Sequence, residues 1–186
     1  RAALATLGGG DRIVFGSNVS LTQDLPGISS TDVVIDGNGF TLSGAGQYRG
    51  FVVGAVSDGA YDPASVTIRN LTIRDTLARG GDGGDGVTGG GGGAGLGGAI
   101  FVMDQATVTV SNVSVLSSRA RGGDGGDAVA GALTAGGGGG LGGDGGTGGA
   151  GGGGGGGAGR AARGGATDAP GQDGILAYSS SGGAAG

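Results

Sequence analysis

The chain has 186 residues, 56 of them glycine, with a formal charge of −5 and an isoelectric point near 4.4. Cysteine and histidine are absent, which excludes disulfides, zinc thiolate sites and the Ser-His-Asp and Cys-His catalytic arrangements. The only bases are scattered arginines, so we expect no nucleic-acid partner. No apolar run approaches the roughly 20 residues that span a bilayer, so we expect no membrane-spanning segment.

Short segments in which apolar and polar residues alternate occupy the first part of the chain. They include "RIVF" from Arg12, "VSLT" from Val19 and "VVIDGNGFTLS" from Val33, all with the period of two that is typical of β-strands. The segment "FVV" from Phe51 continues the series. Because Glu and Lys are missing and glycine is abundant, few residues favour a helix, and we predict almost no α-helix.

The middle of the chain contains two copies of one unit. "VTIRNLTIRDTLARGGDGGD" begins at Val66 and "VTVSNVSVLSSRARGGDGGD" begins at Val108. A repeat of this kind indicates stacked coils. In each copy we predict two short strands that meet at an asparagine, Asn70 or Asn112, because asparagine tolerates unusual backbone angles. Stacking would place the two asparagines together, where their amides can bond.

A third short strand accompanies each pair of strands, at 51–53 and at 99–102, and "ILAY" at Ile175 would open a further coil. Three short parallel strands per coil, stacked in a column, predict an all-β right-handed parallel β-helix. The sequence stops soon after Ile175, so we expect more polypeptide or a neighbouring copy to complete the column. The predicted β-helix segments, glycine-rich insertions and further coil occupy 1–79 and 99–121, 80–98 and 122–174, and 175–186 respectively.

The strand segments resemble the pectate-lyase-like right-handed β-helix repeats of bacterial surface proteins. That group includes autotransporter passengers, polymorphic outer-membrane proteins and haemagglutinin-like adhesins. The resemblance lies mostly before residue 120 and is carried by "VSLTQDLPGI", "VVIDGNGFTLSG", "YRGFVV", "VTIRNLTI" and "GGAIFVMDQATVTVSNVSV". It implies the β-helix fold and is much less specific to an activity.

Both glycine-rich tracts leave the repeat at the same point, after Arg79 and after Arg121, so they would insert at one corner of the column. Glycine chains can run as extended helices with three residues per turn and can pack side by side through backbone contacts. We therefore predict a polyglycine II bundle, similar to the glycine bundles of springtail antifreeze proteins and some phage tail-tip adhesins. A flexible linker is the alternative that composition alone favours.

Equivalent positions of the two copies carry the same polar residues, which we predict to form a structural ladder. Calcium is the alternative, because it prefers carboxylate oxygens in glycine-rich turns, and its candidate ligands would be the four aspartates of the ladder. The tracts lack the regular apolar residues of calcium rolls, and the arginines can neutralise the acids, so we prefer the ladder and expect no cofactor. The ladder residues are Asn70, Asn112, Arg79, Arg121, Asp82, Asp124, Asp85 and Asp127, and the candidate calcium ligands are Asp82, Asp85, Asp124 and Asp127.

An enzyme of the pectin-degrading type would need acids and arginines on one strand face. Arg69, Arg74, Asp75 and Asp36 are the candidates, but Arg69 and Asp75 become serine in the second copy. We therefore interpret these positions as a solvated outer face and expect no enzyme.

The predicted function is that of a non-enzymatic, extracellular or cell-surface structural or adhesive protein. We expect a self-associating subunit of a secreted fibre or filament, or a fragment of a surface passenger domain. The expected partner is a second copy, and surface polysaccharide is a further candidate. The alternatives are a carbohydrate-binding or carbohydrate-cleaving β-helix protein and an ice-binding protein, which the short threonine row of Thr67 and Thr109 supports only over two coils.

Overall fold

The computed structural model describes residues 2–57, 60–149, 153–156 and 163–165. Their regular secondary structure is almost entirely β-strand, with a single helix of four residues, α1 (Ala2–Ala5). The predicted scarcity of α-helix is confirmed. The strands are β1 (Arg12–Val14), β2 (Val19–Ser20), β3 (Val33–Asp36), β4 (Thr41–Ser43), β5 (Phe51–Val53), β6 (Ala55–Ser57), β7 (Ala60–Asp62), β8 (Ala64–Arg74), β9 (Leu77–Arg79), β10 (Ile100–Val102), β11 (Ala106–Leu116) and β12 (Arg119–Arg121).

The chain divides into two compact units. The first, which we call the strand unit, comprises Arg1–Ala78 and Gly97–Arg119. The second, which we call the glycine unit, comprises Arg79–Leu96 and Ala120–Gly186. The strand predicted at Ile175 lies outside the described residues.

The strand unit is built on a curled sheet of parallel strands. β8 pairs with β3 and β4 on one side and with β11 on the other, while β1 extends the sheet from β3 and β2 extends it from β4. β5 and β10 form a separate parallel pair, and β6 and β7 pair antiparallel. The registers align two rows of apolar residues across the sheet. The first row is Ile13, Ile35, Ile68 and Val110, and the second row is Val19, Leu42, Ile73 and Val115.

β8 and β11 are single long strands rather than the two short strands that we predicted for each copy. Each strand has eleven residues and runs through its asparagine, Asn70 or Asn112, whose φ is 51°. One residue in the left-handed region bends a strand without ending its pairing on either side. The two halves of β8 therefore pair with different strands, β3 before the bend and β4 after it.

The core of the strand unit fills the inside of the curled sheet. Its apolar residues come chiefly from β3, β4, β5 and β8, as alternate residues of a strand face the same side. Burial declines at β11, where no residue is fully buried. The buried core residues are Leu21, Leu25, Ile28, Val33, Ile35, Leu42, Phe51, Val53, Ala64, Val66, Ile68, Leu71 and Ile73.

The glycine unit is held by backbone hydrogen bonds with a period of three residues. Segment 80–87 donates to two neighbouring segments, one at 121–127 and the other at 134–140. The first neighbour runs parallel to it and the second antiparallel. The donor and acceptor pairs are Gly80 to Arg121, Gly83 to Asp124, Gly86 to Asp127, Gly81 to Gly140, Gly84 to Gly137 and Val87 to Thr134, at 2.8 to 3.1 Å.

Candidate functional site

Among the described acids of the strand unit, Asp36 has the pKa that is shifted furthest from its ordinary value. It ends β3 with only 7% of its surface exposed and accepts hydrogen bonds from Arg12 at 2.7 Å and Arg69 at 3.0 Å. The side chain of Asn70 donates to it at 3.2 Å. Chiefly this bond, then the backbone amide of Asn38, and then the arginines hold the pKa of Asp36 far below its usual value.

The predicted solvated position of Asp36 is therefore wrong. β1 and β8 lie on either side of β3, and each contributes one arginine that turns onto the carboxylate. A carboxylate held ionised by two cations and an amide is a poor proton acceptor. The geometry makes Asp36 a structural acceptor rather than a general base.

The two predicted ladder asparagines lie side by side. The Nδ2 of Asn112 donates to the Oδ1 of Asn70 at 2.9 Å, and Asn70 in turn donates to Asp36. A chain of polar side chains therefore joins β11, β8 and β3. A second side-chain contact joins equivalent positions of the two copies: the hydroxyl of Thr76 donates to that of Ser118 at 2.7 Å, and both pairs are 42 residues apart in the sequence.

In the glycine unit, aspartate side chains accept hydrogen bonds from backbone amides of neighbouring segments. The Oδ1 of Asp82 accepts from the amide of Asp124 at 2.8 Å, and the Oδ1 of Asp85 accepts from that of Asp127 at 2.8 Å. Asp144 accepts from the amide of Asp82 at 3.0 Å. These carboxylates act as links between segments of the bundle.

Arginines neutralise part of this aspartate ladder. Arg79 lies 2.8 Å from Asp82 and 3.4 Å from Asp124, and Arg121 lies 3.2 Å from Asp124. The structure thus brings four of the predicted ladder residues into one cluster: Arg79, Arg121, Asp82 and Asp124. Among the described residues, no three acids gather in a way that could hold a metal ion.

Sequence reasoning missed Asp144 and Arg163, which pair at 3.7 Å. Both lie outside the repeat from which the ladder was inferred. The available signal was the motif "GGDGG" at 142–146, which matches the "GGDGG" at 80–84. Arg163, Asp144 and Arg79 also line a polar cavity of about 250 Å³ in the glycine unit.

The strand unit exposes apolar side chains along β11. Within the described part of the chain, β11 pairs only with β8, so its outer edge carries unpaired backbone groups. Val110, Val115 and Leu116 are 50%, 51% and 53% exposed. An exposed strand edge with apolar side chains is a template for pairing with another strand.

A second open apolar surface adjoins β1 and β2. A cavity of about 230 Å³ lies there, and α1 contributes Ala3 and Leu4 to its wall. The rest of the lining includes Phe15 and Leu21, which follow β1 and β2, and inward residues of β3, β4 and β5. Val14 and Val19 beside it are 51% and 38% exposed.

Comparison of the chain with protein-family models, curated proteins and solved structures gives no match. In the described residues, no helix has the length and apolar character of a membrane span. Function must therefore be inferred from the geometry.

Proposed function

We propose that this protein is a non-enzymatic, extracellular structural or adhesive protein whose copies associate through strand edges. The observation that carries the proposal is the edge of β11, an eleven-residue strand with three large apolar side chains about half exposed. Monomeric proteins usually cover or charge such edges because they invite pairing. An edge left open in this way suits a subunit that is completed by a neighbour.

For the strand unit we propose a right-handed parallel β-helix with three strands per coil, as in the surface-protein repeats that the sequence resembles. The support is the order in which the chain visits the sheets. β3, β4 and β5 follow one another, and the two halves of β8 and then β10 pair with them in the same order. β1, β2 and the bridge from Ile28 to Val53 precede them in that order too.

For the glycine unit we propose a polyglycine II bundle. Its support is the three-residue period of the hydrogen bonds, which is the period of a polyproline II helix. Successive residues of segment 80–87 bond to different neighbours, as expected when three rows of donors point outward about 120° apart. Such a bundle would give the protein a stiff surface that is poor in side chains.

The chemistry of the described residues favours binding or support over catalysis. Histidine and cysteine are absent from the sequence, and Asp36 is held ionised by its partners. In the ladder, the carboxylates of Asp82 and Asp85 accept hydrogen bonds from backbone amides, and those of Asp82 and Asp124 pair with arginine. A chain without cysteine also suits an oxidising exterior, where a free thiol would react.

The test is sedimentation velocity and electron microscopy of the purified protein at several concentrations, with and without a calcium chelator. We expect concentration-dependent assemblies that the chelator does not disperse. Val115→Lys should suppress assembly because it places a charge on the apolar edge. Gln47→Lys is the matched control, since Gln47 is exposed, polar and part of neither β11 nor the strand paired with it. A protein that stays monomeric at every concentration contradicts the proposal.

A further inference from the structure

The two ends of the curled sheet carry the same apolar rows. The first row ends at Ile13 on β1 and at Val110 on β11, and the second ends at Val19 on β2 and at Val115 on β11. Every residue of both rows is aliphatic. One end of the sheet therefore offers side chains of the kind that the other end would receive.

The β1 end is also incompletely filled. The apolar cavity of about 230 Å³ adjoins the first members of both rows, Ile13 and Val19, and is walled on one side by α1. α1 has four residues and none of them is buried, so it covers this end weakly. Apolar side chains from another strand would bury this surface, which is the main driving force for association.

We propose that β11 of one copy pairs in parallel with β1 and β2 of a second copy, head to tail. The inference rests on the proposed self-association and assigns its surfaces and register. Val110 lies opposite Ile13 of the second copy, and Val115 lies opposite its Val19. A slip of one residue would turn Ser111 toward the apolar row, because successive side chains of a strand point to opposite faces.

We assign a second copy rather than an unrelated strand, because its β1 and β2 carry Ile13 and Val19, which continue the two apolar rows of β11. Because the pairing is parallel, each copy leaves a new β11 edge exposed, and the contact is heterologous and repeats without closing unless a ring forms. A two-fold pairing of one β11 with another would have to be antiparallel. The two apolar rows would then not continue from one copy into the next, because the order of residues along the edge would be reversed.

Cysteine cross-linking tests the register, because the chain has no cysteine of its own. Val14 and Ser111 end one further row, through Asp36 and Arg69, and both are exposed. Neighbouring strands lie about 4.8 Å apart, which a disulfide can bridge. A mixture of Val14→Cys and Ser111→Cys proteins should therefore shift to disulfide-linked dimer under mild oxidation.

The control mixture pairs Val14→Cys with Thr109→Cys, two residues away along β11. Its α-carbons would be about 8 Å apart in the proposed register, beyond the reach of a disulfide. Ser20→Cys with Leu116→Cys gives an independent in-register pair on β2, should either first variant fold poorly.

The outcomes separate the register from self-association itself. Heterodimers from both in-register mixtures, with none from the control mixture, support the proposal. Assemblies that cross-link only in the control mixture, or only as Ser111→Cys homodimers, overturn the register and leave the proposed function standing. Protein that remains monomeric and uncross-linked overturns both.

Discussion

Asn70 combines a strained backbone position with two side-chain hydrogen bonds. Its φ of 51° lies in the left-handed region, and its amide joins Asn112 to Asp36. Asn70→Ala should lose both hydrogen bonds. It should also be destabilised by about 1 to 2 kcal/mol, because alanine, unlike asparagine or glycine, rarely adopts the left-handed backbone conformation. Asn70→Gly should lose only the hydrogen bonds. The free energy of unfolding of both variants, measured with urea, should therefore place Gly between the parent and Ala, and equal losses would exclude a backbone contribution.

Asp36 should make the strand unit sensitive to acid. Its folded-state pKa lies below the unfolded value of about 3.9, so its stabilising contribution is present above that pH and is lost as the pH falls toward the folded-state pKa. Asp36→Asn should lower the melting temperature at pH 7, and the difference from the parent should shrink below about pH 4. Thermal unfolding from pH 7 to pH 3 measures this. Asp104→Asn is the control, because Asp104 is exposed. A difference in melting temperature between Asp36→Asn and the parent that stays constant with pH would contradict the assignment.

The sequence predicts the contacts of Asn70 better than those of Asp36. Asn70 and Asn112 occupy equal positions of a repeat, so their neighbourhood follows from stacking. One of the two arginines paired with Asp36, Arg12, lies outside the repeat and reaches Asp36 because β1 pairs with β3. A tertiary contact of this kind leaves no periodic signal in the sequence.

At the scale of elements, the glycine segments depend on the absence of Cβ atoms at particular positions. A Cβ on Gly92 would overlap the carbonyl oxygen of Gly123, whereas one on Gly91 would have no neighbour within 4 Å. We expect Gly92→Ala to destabilise the glycine unit by about 1 to 3 kcal/mol, the usual range for overpacking. Gly91→Ala should be neutral or slightly stabilising, because alanine has less freedom to lose on folding.

Hydrogen exchange of the amides in segments 80–93 and 122–127 measures this difference. Reduced protection in Gly92→Ala, with parent-like protection in Gly91→Ala, is the expected result. Equal protection in the two variants would mean that the segments do not pack as closely as the structure has them. The sequence predicts that the tracts begin after Arg79 and Arg121 and, through the ladder, that 80–85 lies beside 122–127, but it does not predict that 134–140 is the other neighbour. The glycines are too alike for their order to be inferred without the hydrogen-bond pattern.

At the scale of the whole molecule, the parallel strand arrangement follows from the alternating segments and the repeat. The proposed role of the two sheet ends depends instead on small local features. α1 is the main such feature, because Leu4 packs against the core and lines the cavity beside β1. In the proposed pairing, a strand of a second copy would bury the apolar surface that α1 now partly covers. In the proposed pairing, α1 would therefore compete with a second copy for one surface and would set how readily copies associate.

Leu4→Ser should weaken this competition and promote assembly. Removing a partly buried leucine side chain loosens α1 by about 1 kcal/mol, which corresponds to a roughly fivefold lower concentration for half-maximal association. Ala5→Ser is the control, because Ala5 is exposed on the same helix and does not line the cavity. Sedimentation velocity over a dilution series measures the shift. Weaker association of Leu4→Ser would mean that α1 is part of the contact between copies, and unchanged association would mean that α1 does not compete for this surface.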